Sequence, residues 1–444
     1  MRLHDRCVLW FLCTALLSLN LAERKAEAKT KTTKESKSIL GERGRALAFA
    51  LKNNPSLRAF RARIQRVQAA HAGSRVFPNN PVLSGGGGAQ FPLNSVGQGS
   101  SALPRLGVDL SLRLPIGGRW GSLQKRRALE LRWYQKQWAF LQFKLKLRVH
   151  MAIHRMAVAW QVQKKRRAMA SFFLRLESLA KKRIQHGSAT QLDLQLVQNS
   201  RLQAEQSALA ALLQYKLVRQ QLKTLLGWTS MKPMPWSFRD LPTLPNLPKE
   251  SKMLAGARQN HFQIALAQLA IAQAKAGLTL SKARAIPDLT VSLGYALEDN
   301  NHIVRGSLSI PLPVFWRNQS KIGQGRAHLR HARLLLKRQR FLIGQRIQRA
   351  YRQFQMRTRM ERLLQKQFKT LKSHSKLIER GLRQGGFSVF KVFTTQRSVI
   401  QSQILYLRNI QKVHDSYIQL CGAAGILPVY KKRILPSLNL GGVK

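Results

Sequence analysis

The chain has 444 residues and a formal net charge of +59, from 77 Lys and Arg against 18 Asp and Glu. A balance this basic first suggests nucleic acid. However, the basic residues run along the whole chain rather than gathering in one patch, and neither a zinc-finger spacing nor an aromatic RNA-binding signature is present. Of the three cysteines, two fall in the first fifteen residues, which excludes a disulfide framework and a cysteine-based metal site.

The N-terminus reads as a secretory signal over residues 1–28. Arg2 and Arg6 precede an apolar core, Cys7–Leu21, and Ala26-Glu27-Ala28 has the small-x-small form of a cleavage site. No other apolar run is expected to be long enough for a membrane helix. Export leaves anionic lipid, cell-wall polymer or an anionic cargo as partners for the positive charge, and argues against DNA. Few carboxylates also mean little charge change as pH falls, which suits an acidic surrounding.

Residues 29–42 form a polar lead. A helical pattern begins near Glu42, is punctuated at Asn53-Asn54-Pro55, and resumes with Leu57, Phe60, Ile64 and Val67 at spacings of three and four. It ends near Phe77-Pro78. A strand pair follows over about 82–114. Leu106, Val108, Leu110, Leu112 and Leu114 alternate there with Gly107, Asp109, Ser111 and Arg113, and Gly85–Gly88 lies in the partner strand. That glycine run lacks the following Lys-Ser/Thr of a phosphate loop.

Ile116–Lys232 contains no proline and reads as long helices. It breaks once, at His186-Gly187-Ser188-Ala189-Thr190, the tip of a helical hairpin. The first arm would span about 100 Å at ~1.5 Å per residue. Within it, His150 and His154 share a helix face, as a metal-binding pair would. No carboxylate stands between them, so they are weak candidates. The segment 231–250 is proline-rich and reads as a linker.

The pattern then recurs. A strand pair over about 288–312 alternates Leu289, Val291, Leu293, Tyr295 and Leu297 with small polar residues, turns at Glu298-Asp299-Asn300-Asn301, and returns through Val304, Leu308, Ile310 and Leu312. Each strand is about ten residues long, the length of a tilted membrane-barrel strand. One such pair alone would fit a soluble core. Two copies, each followed by very long helices, fit a membrane hairpin with helices beyond it. Val314–Leu427 is again free of proline apart from its flanks, and it breaks at Gln384-Gly385-Gly386-Phe387-Ser388. Phe393, Ile400 and Leu407 recur every seven residues, with Leu202 and Leu209 at the matching places in the first half, a coiled-coil spacing.

Gly187 and Gly385, Gln198 and Gln396, and Gly227 and Gly425 all stand 198 residues apart. The chain therefore reads as two repeats, 43–230 and 251–427, followed by a tail over 428–444. The first hairpin carries extra residues near Asn94–Ser101. Four strands from one chain cannot close a barrel or hide its edges, so the chain is expected to oligomerise. Two copies would supply eight strands and three would supply twelve.

On these residues the sequence resembles the outer-membrane efflux family of TolC-like channels, in particular the branch that serves cobalt–zinc–cadmium and other heavy-metal pumps. Ala48-Phe49-Ala50-Leu51-Lys52-Asn53-Asn54-Pro55 resembles the family's opening, and Phe77-Pro78-Asn79-Asn80-Pro81 its lead into the first strand. Ser309-Ile310-Pro311-Leu312-Pro313-Val314-Phe315-Trp316-Arg317-Asn318-Gln319 is the most specific match, with Leu114-Pro115-Ile116-Gly117-Gly118-Arg119 as its counterpart. The resemblance implies a mainly helical fold with a membrane β part. In a homotrimer, a twelve-stranded outer-membrane barrel would be shared between chains and continued by a helical periplasmic tunnel. It implies a periplasmic adaptor protein and an inner-membrane pump as partners, no cofactor and no catalysis, and a passive duct for heavy-metal cations or drugs.

The family's hairpin tips meet the adaptor. That role carries to Gly187, Ser188, Ala189 and Thr190, and to Gly385, Gly386, Phe387 and Ser388, or these residues are simply turns. The family's tunnel-mouth aspartate carries to Asp193, but Lys391 stands at the second place, so a cation-gathering gate is open to doubt and an ordinary ion pair is the alternative. A different class of reading also stands: an exported basic coiled-coil protein that binds an anionic polymer.

Overall fold

The structure, a computed structural model, describes residues 41–90, 103–186, 190–232, 234–245, 247–298, 301–383 and 389–430. The signal, the first hairpin's loop and most tip residues lie outside these. The described residues form two compact units. One draws on described residues within 41–58, 141–259 and 343–430, and the other on those within 59–140 and 260–342.

In chain order the elements are α1 (residues 41–53), α2 (Pro55–Gly73), β1 (Val82–Gln90), β2 (Leu103–Leu114), α3 (Arg119–Gln185) and α4 (Gln191–Leu226), then α5 (Glu250–Asn260), α6 (Phe262–Ala283), β3 (Leu289–Glu298), β4 (Asn301–Ser309), α7 (Gln319–Arg383) and α8 (Val389–Ala424). α3 and α7 have 67 and 65 residues, and α4 and α8 have 36 each. Interiors free of proline and rich in Leu, Gln, Lys and Arg allow helices of this length.

The first unit is built from α1, α4, α8 and parts of α3 and α7. Asn54 separates α1 from α2. Its side-chain oxygen accepts from the Leu57 N–H at 3.2 Å, its amide donates to the Leu225 carbonyl at 2.8 Å, and Pro55 takes the first helical position. Near it Gly227 ends α4 at φ 69° with the Asn53 carbonyl where a Cβ would stand, so only glycine fits without strain. Met169, Phe173 and Leu176 of α3 pack on Val197 and Ala204 of α4, with Ile400 of α8 against them. Further along, Ala157 and Val158 pack on Tyr406, Leu407 and Ile410.

The proline-rich segment is bound to this bundle rather than loose. Leu241 is part of the Leu407 cluster, Leu244 and Leu247 pack against Tyr417, Ile418 and Cys421, and Phe238 is buried. Gln161 donates to the Arg239 carbonyl at 3.0 Å.

The second unit holds the sheet, α6, most of α2 and the first turns of α3 and α7. Phe60 stacks on Trp138 at 6.2 Å, Phe140 stacks on Phe262 at 5.9 Å, and Trp120 donates from Nε1 to the Ser74 carbonyl at 2.9 Å. Glu250–Ala283 is long and apolar enough to cross a bilayer by length and composition alone. Contrary to the sequence reading, such a run therefore exists, but it is two helices. His261 caps α6 by accepting the Gln263 N–H at 3.1 Å, and Ile264, Ala274, Leu280 and Ala283 are buried against protein.

Candidate functional site

The four strands form one antiparallel sheet in the order β1-β2-β3-β4. The alternation in the sequence sets its two faces. One face carries the rows Leu83–Leu110–Leu293–Gly306 and Gly85–Val108–Tyr295–Val304. The other carries Ser84–Asp109–Gly294–Arg305 and Val82–Ser111–Ser292–Ser307. The apolar face is uncovered: Leu83, Leu110, Leu293, Val304 and Leu308 are all exposed. On the polar face Glu298 pairs with Arg305 at 2.9 Å and lies 3.7 Å from Arg105. Asp109 occupies the space that a side chain at Gly294 would need. β1 and β4 each have one strand partner among the described residues, so both edges of the sheet are open.

β4 stops at Ser309, three residues short of the alternating pattern. Pro311 and Pro313 have no N–H to give a ladder, and Leu312, Val314, Phe315 and Trp316 run on in exposed, irregular chain. A left-handed residue then precedes each long helix: Gly118 at φ 67° before α3 and Asn318 at φ 58° before α7. Asparagine tolerates this backbone better than most residues. Its amide is also held by the Ser281 carbonyl at 2.6 Å. Arg119 anchors the other junction on Asp288 at 2.9 Å. The family-like segments Gly117-Gly118-Arg119 and Arg317-Asn318-Gln319 thus sit at the strand-to-helix junctions.

At the hairpin tips, Gly187, Ser188, Ala189, Gly385, Gly386, Phe387 and Ser388 lie outside the described residues. Thr190 is the N-cap of α4. It accepts the Asp193 N–H at 3.2 Å, while the Asp193 carboxylate accepts from the Thr190 N–H at 3.0 Å and its hydroxyl at 2.8 Å. These bonds hold the Asp193 carboxyl below the usual carboxylate range. Lys391 falls in the first turn of α8.

His150 and His154 belong to a buried node instead of a surface metal pair. Arg43 donates to His154 Nε2 at 3.1 Å and to the Asp240 carbonyl at 2.8 Å. His414 lies edge-on to His154 at 4.6 Å, and Tyr430 packs against both His150 and His154. Burial, then the Arg43 charge, pushes His150 down to about 4 and His414 down to about 3, and His154 is also lowered. A buried guanidinium beside the pair opposes a divalent cation. Among the described residues no group of three or more His, Cys, Asp or Glu is placed to hold a metal. Sequence reasoning missed this node because Arg43, His154 and the His414–Tyr430 stretch lie more than a hundred residues apart with no shared spacing.

The described chain thus joins a sheet with a bare apolar face and two open edges to helices of more than sixty residues. The resemblance to the outer-membrane efflux family is borne out. Residues 253–426 match the model of the family described as outer membrane efflux protein. Protein CyaE of Bordetella pertussis is 27% identical over 330 residues, covering 69% of this chain and 67% of that one. Among solved structures, the channel protein CusC aligns with a TM-score of 0.71 and 16% identity, covering 87% of this chain and 92% of that one. The outer membrane protein VceC of Vibrio cholerae aligns with a TM-score of 0.69 and 14% identity, covering 87% and 96%. Similarity of this order speaks for the fold.

Proposed function

We propose that three copies of this chain build an export duct in the outer membrane. Each copy contributes its four strands to a twelve-stranded barrel and its helices to a tunnel in the periplasm. The observation that carries this reading is the sheet. Its exposed apolar face suits lipid, and its two open edges need strands from neighbouring copies, because unpaired backbone groups are very costly in a bilayer. The leucines exposed along α4, from Leu192 to Leu217, give a second surface for copy-to-copy packing. The equal lengths and the 198-residue offset of α4 and α8 support an internal repeat.

The duct is passive. It docks through its hairpin tips, Gly187–Thr190 and Gly385–Ser388, to a periplasmic adaptor served by an inner-membrane pump. Asp193 and Lys391 stand in the first turns of the helices that follow those tips and form the mouth, where opposite charges leave the ring near neutral. The cargo class is heavy-metal cations or drugs. An exported polymer-binding protein would have no use for an uncovered apolar sheet.

Light scattering on the particle extracted by detergent from purified outer membranes tests the assembly. A mass of three chains is expected, and a soluble monomer absent from the membrane fraction would overturn it. Unchanged tolerance to zinc, cobalt, cadmium and copper after deletion would remove metals from the cargo class.

A further inference from the structure

In the helical bundle of the first unit, α3, α4 and α8 leave an open groove of about 680 Å³. Its walls are three helical stripes. On α3, Arg155, Val162 and Arg166 follow one face, since eleven residues is close to three full turns. On α8, Arg408 and Lys412 are one turn apart. On α4, Ala211 and its neighbours form the third wall.

The charges are grouped unevenly. Asp415 takes Arg155 at 3.1 Å. Among the described residues, Arg166, Arg408 and Lys412 have no carboxylate within ion-pair distance. Among the described residues Arg166 has only the Met169 sulfur, at 4.0 Å, as a hydrogen-bond partner. Burial and then the neighbouring Arg408 charge both push the Arg166 guanidinium's pKa down, as expected for two like charges held together without a counter-ion. On α3 the wall between Arg166 and Arg155 is formed by Val158, Ala159 and Val162.

We propose that this groove binds an organic anion with an apolar body: its charged head sits between Arg166 and Arg408, and its body lies along Val162 and Ala211. Two guanidinium groups suit a planar or tetrahedral oxyanion, which they bind bidentately. The volume is that of a small-molecule site. A half-buried Arg166 beside the exposed Arg408 is relieved of like-charge repulsion when an anion enters, and this favours a multiply charged head. The inference goes beyond the duct reading and does not require it, because binding is read on the purified protein whatever it transports.

The test is calorimetric titration of the full-length protein in detergent with phenyl phosphate, and in parallel with inorganic phosphate, at constant ionic strength. Saturable binding of one phenyl phosphate per chain is expected, with inorganic phosphate weaker. Arg166→Gln combined with Arg408→Gln should raise the phenyl phosphate Kd by at least about tenfold. Ala211→Phe, which fills the groove and leaves every charge in place, should also weaken it. The exposed pair Lys337→Gln with Arg340→Gln on α7 removes the same charge elsewhere and should change nothing. Equal weakening by that control pair would reduce the effect to general surface charge and overturn the proposal, as would the absence of saturable binding in the parent protein.

Discussion

α4 and α8 have the same length, and both end at a left-handed glycine, Gly227 at φ 69° and Gly425 at φ 75°. Their surroundings differ. Leu209 of α4 and Leu407 of α8 stand 198 residues apart and share a heptad position, yet Leu209 is 67% exposed and Leu407 is 1% exposed. α8 is buried on most of its circumference, including Asn409, His414 and Ser416. α4 buries only a narrow seam, Val197, Ala204, Val218, Leu222 and Leu226, and shows Leu192, Leu196, Leu202, Leu213 and Leu217 to solvent. One sequence period thus serves two purposes. α8 is core within its bundle, and α4 carries an apolar face that is uncovered among the described residues, as the proposed copy-to-copy packing requires.

The largest effect expected from this contrast is on assembly. Leu209→Arg with Leu213→Arg should reduce the detergent-extracted particle from three chains to one while leaving the helical circular dichroism of the chain in place. A three-chain particle from that variant would show that the α4 face is not the interface. Next comes stability. Leu407→Ala opens a cavity in a packed cluster and should cost about 2–5 kcal/mol, whereas Leu209→Ala in a dissociated chain should stay within about 0.5 kcal/mol. Denaturant unfolding of the two variants reads the difference directly.

Acid should sharpen the same contrast, because α8 carries the buried His414 where α4 carries exposed Lys216. His150, His154 and His414 are held neutral in the fold, with pKa values below their ordinary value. The charged or titratable groups facing them are Arg43, Lys146 and Tyr430, with Asp240 beyond. An unfolded chain therefore binds more protons than the folded one below an unperturbed pKa of about 6.5. Stability is full above that pH and declines as pH falls towards the folded values of about 4 and about 3. His414→Gln should flatten the melting profile between those limits, and an unchanged slope would show that the node does not control it.

The smallest effects lie at the helix ends. Gly425→Ala meets left-handed strain worth about 1 kcal/mol, and Gly227→Ala should cost more because its Cβ also meets the Asn53 carbonyl. At the other end, Thr190→Ala should cost about 1 kcal/mol, seen as faster amide exchange in the first turn of α4. Asp193→Asn should lose less, since the cap oxygen remains.

Much of the architecture was legible from residue order. Strand faces follow from strict alternation, long helices from the absence of proline, and the break between the first two helices from Asn54-Pro55, because these are local backbone preferences that need no partner. The strand-to-helix junctions were visible as motifs, but the reason for them, a left-handed Asn318 tied to Ser281, was not. At matching heptad positions Leu407 is buried while Leu202 and Leu209 are exposed, since a period states that a helix has an apolar face and not what covers it.

Element types, their order and the alternation of the sheet follow from residue order, all consequences of interactions within a few residues. Which leucine face is interior, the place of the proline-rich segment in the bundle, the assembly of the Arg43 node and the meeting of Arg166 with Arg408 emerge from long-range packing alone. Those depend on contacts between segments more than a hundred residues apart, and no local preference encodes which of many chemically similar helix faces will meet.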